Sequence, residues 1–292
     1  MANLKEIKNR ITSISSTMQI TSAMKMVSAA KLRKAQDAIT QLRPYAQKLQ
    51  EILGNVSGTL DLSENIFAEE RTVKKVLIIP ISSNRGLCGG FNNNITKRVN
   101  WLLKNEYTNV EVSVLSVGKK VNDAFKNSTF NFRPEELGSA EDMFNDLTFE
   151  RASEHAEFAM NAFRKGEFDK VIVVYNQFKN AAVQEVITEQ LLPILPQENE
   201  TEKTPAGDYL FEPSKEEIIV DLIPKALKLQ FFKALLDSNA SEHGARMTAM
   251  HKATDNAGDL KRGLTLDYNK ARQAAITNEI LEIVGGAEAL NG

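Results

Sequence analysis

The sequence predicts an α/β fold in which a long antiparallel coiled coil of the N- and C-terminal helices is joined to a small Rossmann-like α/β domain. Three observations predict it. Residues 1–57 hold no glycine before Gly54 and no proline before Pro44, and their apolar residues step by three and four. Residues 72–212 alternate apolar β-branched runs with stretches of helical spacing. Residues 214–292 return to a helical pattern with few breaks. These three spans are the expected domains.

The first span has the plainest pattern. Leu4, Ile7, Ile11, Ile14 and Met18 keep heptad spacing. The stripe is then expected to shift to Ile20, Met24 and Val27, and to resume through Leu32, Ala35, Ile39 and Leu42 to Leu49 and Leu53. At 1.5 Å per residue such a helix is roughly 80 Å long, whereas a compact domain of this mass is only about 35–40 Å across. The helix must therefore bend back or stand out, and Pro44 is a candidate kink.

In the middle span, Val73–Ser82 reads as a buried strand, followed by a turn with Gly86, Gly89 and Gly90. Phe91–Asn105 reads as a helix, Val110–Val117 as a second strand, Ala140–Lys165 as a helix, Phe168–Phe178 as a third strand and Val183–Ile194 as a more exposed one. This alternation predicts a mainly parallel sheet. Gln197–Pro213, rich in Glu, Thr and Pro, reads as a loop.

The last span opens on a capping-box pattern, with Ser214 as N-cap and Glu217 three residues on. Pro224 is a possible kink, and Gly244, Gly258, Gly263 and Gly285-Gly286 are the other interruptions. An isolated helix of this length is poorly stabilised in water, because most helical stability comes from packing. The economical arrangement pairs the two terminal helices antiparallel; a bundle of bent helices is the alternative.

Composition bounds the rest. The chain has 292 residues, a formal net charge of −2 and a single cysteine, Cys88, so it can form no internal disulfide. No stretch is long and apolar enough to span a bilayer. Residues 1–35 are basic and Ser-rich like a transit peptide, but the helical pattern runs on to about residue 53 and reads as structure. The small net charge hides an asymmetry. Residues 1–53 carry nine basic and three acidic side chains, a net +6, whereas residues 185–221 carry two and ten, a net −8. The basic helix suits an anionic lipid or an acidic protein surface, or remains a solvated face. Nucleic acid is not expected, because the bases are not interleaved with aromatics and no binding module is visible.

Candidate chemistry is sparse. Ser82–Gly90 lies between a strand and a helix, where phosphate loops occur. It lacks the Lys-Ser/Thr ending of a P-loop and the dinucleotide spacing, so a tight structural turn is expected. Cys88 has no histidine near it in sequence, and His155, His243 and His251 are scattered, which reads as packing or surface rather than a metal set. Met18, Met24, Met26, Met247 and Met250 read as an adaptable apolar seam.

Longer motifs go further. Lys5-Glu6-Ile7-Lys8-Asn9-Arg10-Ile11, Gln19–Val27, Ala30–Ala35 and Arg43-Pro44-Tyr45 are similar to the amino-terminal helix of ATP synthase gamma subunits of the bacterial F-type. Arg85–Gly90 resembles that family's strand–helix turn, with Asn84 where the family often has Asp. Ala245–Met250, Ala253–Ala257 and Tyr268–Glu279 resemble its carboxy-terminal signature. The resemblance implies a central rotor shaft that couples proton flow to ATP synthesis. It implies partners, namely three alpha and three beta subunits, epsilon and a c-ring, with membrane contact only through that complex. It implies a peripheral place on the cytoplasmic face of the bacterial inner membrane, catalysis on the beta subunits, and no cofactor on this chain. It also implies coupling contacts at Met24 and Lys25 near the mouth of the ring and at Arg272, Gln273 and Thr277, which match positions that hydrogen-bond a beta-subunit loop. A nucleotide-binding enzyme and a coiled-coil scaffold without a rotary role are the rival classes.

Overall fold

The computed structural model describes residues 4–57, 66–69, 71–194 and 215–291, and the side chains of the terminal helices over 4–46, 48–49 and 221–287. The elements run α1 (Leu4–Ser57), β1 (Lys75–Pro80), α2 (Phe91–Trp101), β2 (Glu111–Val114), α3 (Lys119–Phe125), α4 (Phe149–Arg164), β3 (Lys170–Phe178), β4 (Gln184–Leu192) and α5 (Lys215–Asn291). The expected loop at Gln197–Pro213, Ser214 as N-cap and the side chains of Leu53 and Glu217 lie outside the described residues. The chain forms two compact units, one of residues 1–28 with 247–292, the other of residues 29–246.

The second unit is built on a four-stranded sheet of order β2-β1-β3-β4. β1 pairs parallel with β2 and with β3, while β3 and β4 form an antiparallel pair. The alternation of side chains along the strands divides the core in two. Leu77, Ile79, Ile81, Val171, Val173 and Tyr175 pack against Ala152, Ala156, Ala159 and Phe163 of α4 and against Ile223, Leu227 and Phe231 of α5. Val76, Ile78, Ile172 and Val174 face the other way, onto Ile95 and Val99 of α2 and Val121 and Phe125 of α3. Burial on both faces is why these strands read as continuous apolar runs rather than as alternation.

Several expectations change in detail. Of Ala140–Lys165, only Phe149–Arg164 is α-helix, because Thr148 in extended geometry caps it, its hydroxyl accepting from Arg151 N. The preceding residues form a 3-10 turn at Asp142–Phe144, whose Asp142 carboxylate accepts from Ser139 N. α2 ends in a π turn over Leu102–Glu106 rather than in plain α-helix. Pro44 and Pro224 both sit inside helices that run on past them.

The first unit is a helix pair. As the α1 partner moves from Ser15 to Thr21 to Lys25, its α5 partner moves back from Lys261 to Thr254 to His251. Numbers that run in opposite directions define an antiparallel pair. The seam of α1 keeps the three–four spacing throughout, through Ile7, Ile11, Ile14, Met18, Thr21, Lys25 and Ser28, all buried or half-buried. The expected shift to Ile20 and Val27 does not occur: both are exposed, at 59% and 58%. Spacing, not apolarity, decides which residues face the partner helix, so two small hydroxyls are buried while two aliphatic side chains face out. Met24 stays half-buried beside this seam.

The opposing seam on α5 runs through Met250, Thr254, Ala257, Lys261, Leu264, Tyr268 and Ala271 at the same spacing. Extended one for one, this register sets Leu4 near Ala271. Every described side chain from Arg272 to Ala287 is exposed. No helix among the described residues is long and apolar enough to cross a membrane.

Candidate functional site

The strand order gives the sheet a topological switch point between β1 and β3, where α/β proteins place ligands beyond the carboxyl ends of the strands. The glycine-rich turn after β1 lies there. Its polar groups are tied within the fold. Ser83 N donates to Asn92 Oδ1 at 2.9 Å, and Ser83 Oγ donates to Arg85 O at 2.6 Å. Asn84 Nδ2 donates to Glu141 O at 2.8 Å, and Asn84 Oδ1 accepts from Lys119 N at 3.1 Å. Cys88 is buried, receiving a hydrogen bond from Asn92 Nδ2 at 3.2 Å, and burial raises its thiol pKa. That is an inert thiol rather than an activated one. Leu87 adopts φ +64° at the tip, a backbone uncommon for a branched residue.

Helix α5 covers this switch point. Arg246 donates to Arg85 O at 3.2 Å and to Gly86 O at 3.3 Å, and pairs with Glu242 at 2.5 Å, both side chains being about 10% exposed. Ser241 Oγ donates to Asn176 O at 2.9 Å, at the end of β3. Where a nucleotide phosphate sits in a doubly wound fold, this chain places its own arginine and hydroxyl. The turn presents carbonyls to a cation, the reverse of a phosphate cradle, which presents N–H groups.

The histidines and methionines divide by environment. His155 stacks on Phe231 at 6.3 Å, its Nδ1 lies 3.1 Å from Arg151 O, and burial lowers its pKa. His243 is pushed down to about 4 by burial, with Arg246 and Lys31 adding repulsion, so it stays neutral. Met18 reaches the α-carbon face of Gly258, and Met250 is buried, whereas Met26 is 66% exposed and so lies outside the expected seam. Among the described residues no group of three or more His, Cys, Asp or Glu is placed to hold a metal. A cleft of ≈ 620 Å³ beside α4, lined by Phe132, Phe158, Glu136 and Glu154 among others, has no Ser, Cys or His in its wall.

The residues singled out for coupling lie in the helix pair. Met24 is half-buried, with its carbonyl accepting from Ser28 Oγ at 2.7 Å. Lys25 is half-buried, its Nζ 3.4 Å from His251 Nδ1. Arg272, Gln273 and Thr277 are exposed on the part of α5 beyond its paired length. The fold brings Lys25 to His251, a meeting that sequence reading missed. The signal was present in the antiparallel register, which sets residue 25 opposite residues 250 and 251.

One unit is thus an antiparallel helix pair and the other an α/β domain whose ligand crevice is filled from within, which defines a mixed α/β protein with long helical termini. The sequence profile of the ATP synthase family matches residues 3–290. The ATP synthase gamma chains of Christiangramia forsetii and Flavobacterium johnsoniae are each 59% identical, over the full length of both chains. This chain belongs to the ATP synthase gamma chain family, the central rotor shaft of the F-type enzyme, and is one subunit of that complex. Solved structures share the fold. A chain of the Euglena gracilis mitochondrial ATP synthase (OSCP/F1/c-ring, rotational state 3) aligns with a TM-score of 0.67 at 23% identity, covering 98% of this chain and 94% of that one. One from the Tetrahymena thermophila mitochondrial central stalk and c-ring gives 0.56 at 24%, covering 80% and 99%.

Proposed function

We propose that the chain transmits torque and performs no bond chemistry itself, the nucleotide sites lying on beta subunits. Three alpha and three beta subunits surround the helix pair, and epsilon and a c-ring hold the chain's other end. The complex sits on the cytoplasmic face of the bacterial inner membrane, with this chain peripheral to it. Proton flow turns the shaft, and the shaft sets the affinities of the beta subunits. The three sequence spans 1–57, 72–212 and 214–292 correspond in this reading to two shaft strands and a docking domain.

The physics requires asymmetry. A ligand shifts an equilibrium only by its differential affinity for the states. A helix pair that faces one of three equivalent neighbours at a time supplies that difference. The observation that carries the reading is the exposed length of α5 beyond its partner, with Ile276, Ile280, Leu281, Ile283 and Val284 each about half exposed or more. An apolar helix in water without a partner is poorly stabilised, so a surrounding protein surface is the natural cover. Arg272, Gln273 and Thr277 fall within about 140° of one another around that helix and offer polar contacts to a beta loop. Met24 and Lys25 face the ring's mouth, where screened contacts of a cation stay reversible.

The test replaces Arg272 and Gln273 together with Ala in the assembled complex and measures ATP synthesis and hydrolysis. Loss of both supports the coupling role. Unchanged rates remove the two residues from it.

A further inference from the structure

We propose that Arg246, with Ser241 and Gly244, is the grip by which the α/β unit holds helix α5 against rolling about its own axis, which makes Arg246 a positioning residue for torque. Each of the three meets a different part of the unit. Arg246 Nη2 donates to Arg85 O at 3.2 Å and to Gly86 O at 3.3 Å, in the turn after β1. Its Nη1 pairs with Glu242 at 2.5 Å and stands 3.5 Å from His243 Nδ1. Ser241 Oγ donates to Asn176 O of β3 at 2.9 Å. Gly244 receives the β3–β4 turn, where a Cβ would stand 3.3 Å from Ala181 and 3.4 Å from the ring of Phe178.

At about 100° per residue, Gly244 lies roughly 60° to one side of Ser241 and Arg246 roughly 140° to the other. Residues 241–246 are therefore held around roughly 200° of the helix circumference. A helix packed on one side resists separation but can roll, because apolar contact is non-directional. Leu227, Phe231 and Leu235 of α5 pack in that way. Two hydrogen-bonded ties are directional, and with a steric stop on the far side they oppose a roll in either sense. The turn that Arg246 grips is itself anchored. Ile81 N donates to Val174 O at 2.8 Å and Ser82 N to Val117 O at 2.8 Å, so the root of the turn is in the sheet. Val121 N donates to Ser82 Oγ at 2.9 Å and Lys120 N to Ser83 O at 3.1 Å, which ties it to α3. The second unit ends at Arg246, and α5 runs on from there. A twist entering along α5 meets Arg246 before the other two ties. The inference rests on the shaft reading and adds to it the place where the α/β unit takes hold of the shaft.

The experiment fixes the assembled complex to a surface through its other subunits. A particle is attached to the α/β unit at Lys104→Cys, an exposed position in a chain whose one native cysteine, Cys88, is buried. The readout is the variance of the particle's angle while the shaft is paused, scored only on complexes that turn when ATP is supplied. Arg246→Lys keeps a charge for Glu242 but loses the planar fork that serves both partners, so the variance should rise by about twofold. Ser241→Ala deletes one neutral bond and should raise it by less; this variant decides the matter if Arg246→Lys does not assemble. Arg164→Lys, on the exposed side of α4, should leave it unchanged. A role in stability alone would lower the number of assembled complexes without widening the angles of those that turn. A wild-type variance in both Arg246→Lys and Ser241→Ala overturns the proposal. A wild-type particle that never turns while the complex hydrolyses ATP is a separate result, which removes the shaft reading itself.

Discussion

Thr21 Oγ1 and Thr254 Oγ1 lie 2.8 Å apart across the seam of α1 and α5, at positions where a coiled coil ordinarily buries aliphatic side chains. Each hydroxyl also reaches a carbonyl of its own helix, Met18 O at 3.1 Å and Met250 O at 2.8 Å. A polar pair at one seam level fixes the register of two helices, because any slip strands a buried hydroxyl. Thr21→Val or Thr254→Val should each cost about 1 kcal/mol, and the double variant less than the sum, with a coupling of roughly 0.5–1.5 kcal/mol. Denaturant unfolding of the four chains completes the cycle.

Removal of the Arg246 guanidinium should be among the costliest single changes. Arg246→Met leaves Glu242 buried without its cation and two loop carbonyls without a donor, at about 3–5 kcal/mol. Burial already raises the Glu242 carboxyl, with Arg246 opposing that rise. Without Arg246 the side chain takes up a proton more readily, so the loss should shrink as pH falls. Urea unfolding at pH 7.5 and at pH 5 measures both parts.

Asp237 should oppose folding at neutral pH. Burial raises its carboxyl from 3.8 to about 6, with Glu189 adding to the rise and Lys233, Arg43 and Lys179 opposing it. The folded chain therefore holds a proton that the unfolded chain releases. This group's contribution to stability is therefore most favourable below pH 3.8 and declines as pH rises to about 6. Asp237→Asn should stabilise the chain at pH 7.5 by about 1–3 kcal/mol and leave it unchanged near pH 4, read from unfolding midpoints.

Two glycines with positive φ should respond differently. At Gly118, φ +95°, a Cβ would stand 2.1 Å from Ser82 O, in the backbone of the turn itself. Gly118→Ala should cost more than about 3 kcal/mol, through backbone strain and collision together. At Gly89, φ +60°, nothing lies within 4 Å of the added carbon, so Gly89→Ala should cost only about 1 kcal/mol. Thermal unfolding compares the pair.

Much of the fold was legible because its signals are periodic. Val73–Ser82, Phe168–Phe178 and Val183–Ile194 each contain a strand of the sheet, and the terminal patterns each contain a helix. What escaped was either too short to show a period or set by contacts that periodicity does not carry. Helix α3 has only seven residues, with Gly118 at its N-cap, so it shows barely two turns of pattern. The antiparallel join of β4 to β3 follows from a short connection, Lys179–Val183, which no parallel crossover could use. In α1, apolar Ile20 and Val27 drew the expected stripe off a seam that Thr21 and Ser28 keep by spacing alone. Gly244 read as an interruption of α5, yet the helix continues, and its missing side chain admits Ala181 of the β3–β4 turn, which a Cβ would meet at 3.3 Å. The coupling residues came from motif likeness, since exposed helix polars carry no signal of their own.

Rotation of this chain within its complex is the most direct test. The complex is fixed to a surface through its other subunits, and a particle is attached at a cysteine replacing exposed Lys104, Cys88 being buried. A rotor shaft turns the particle steadily in one direction while ATP is supplied and stops when it is exhausted. A particle that stays still while the same complex hydrolyses ATP would contradict the rotor role.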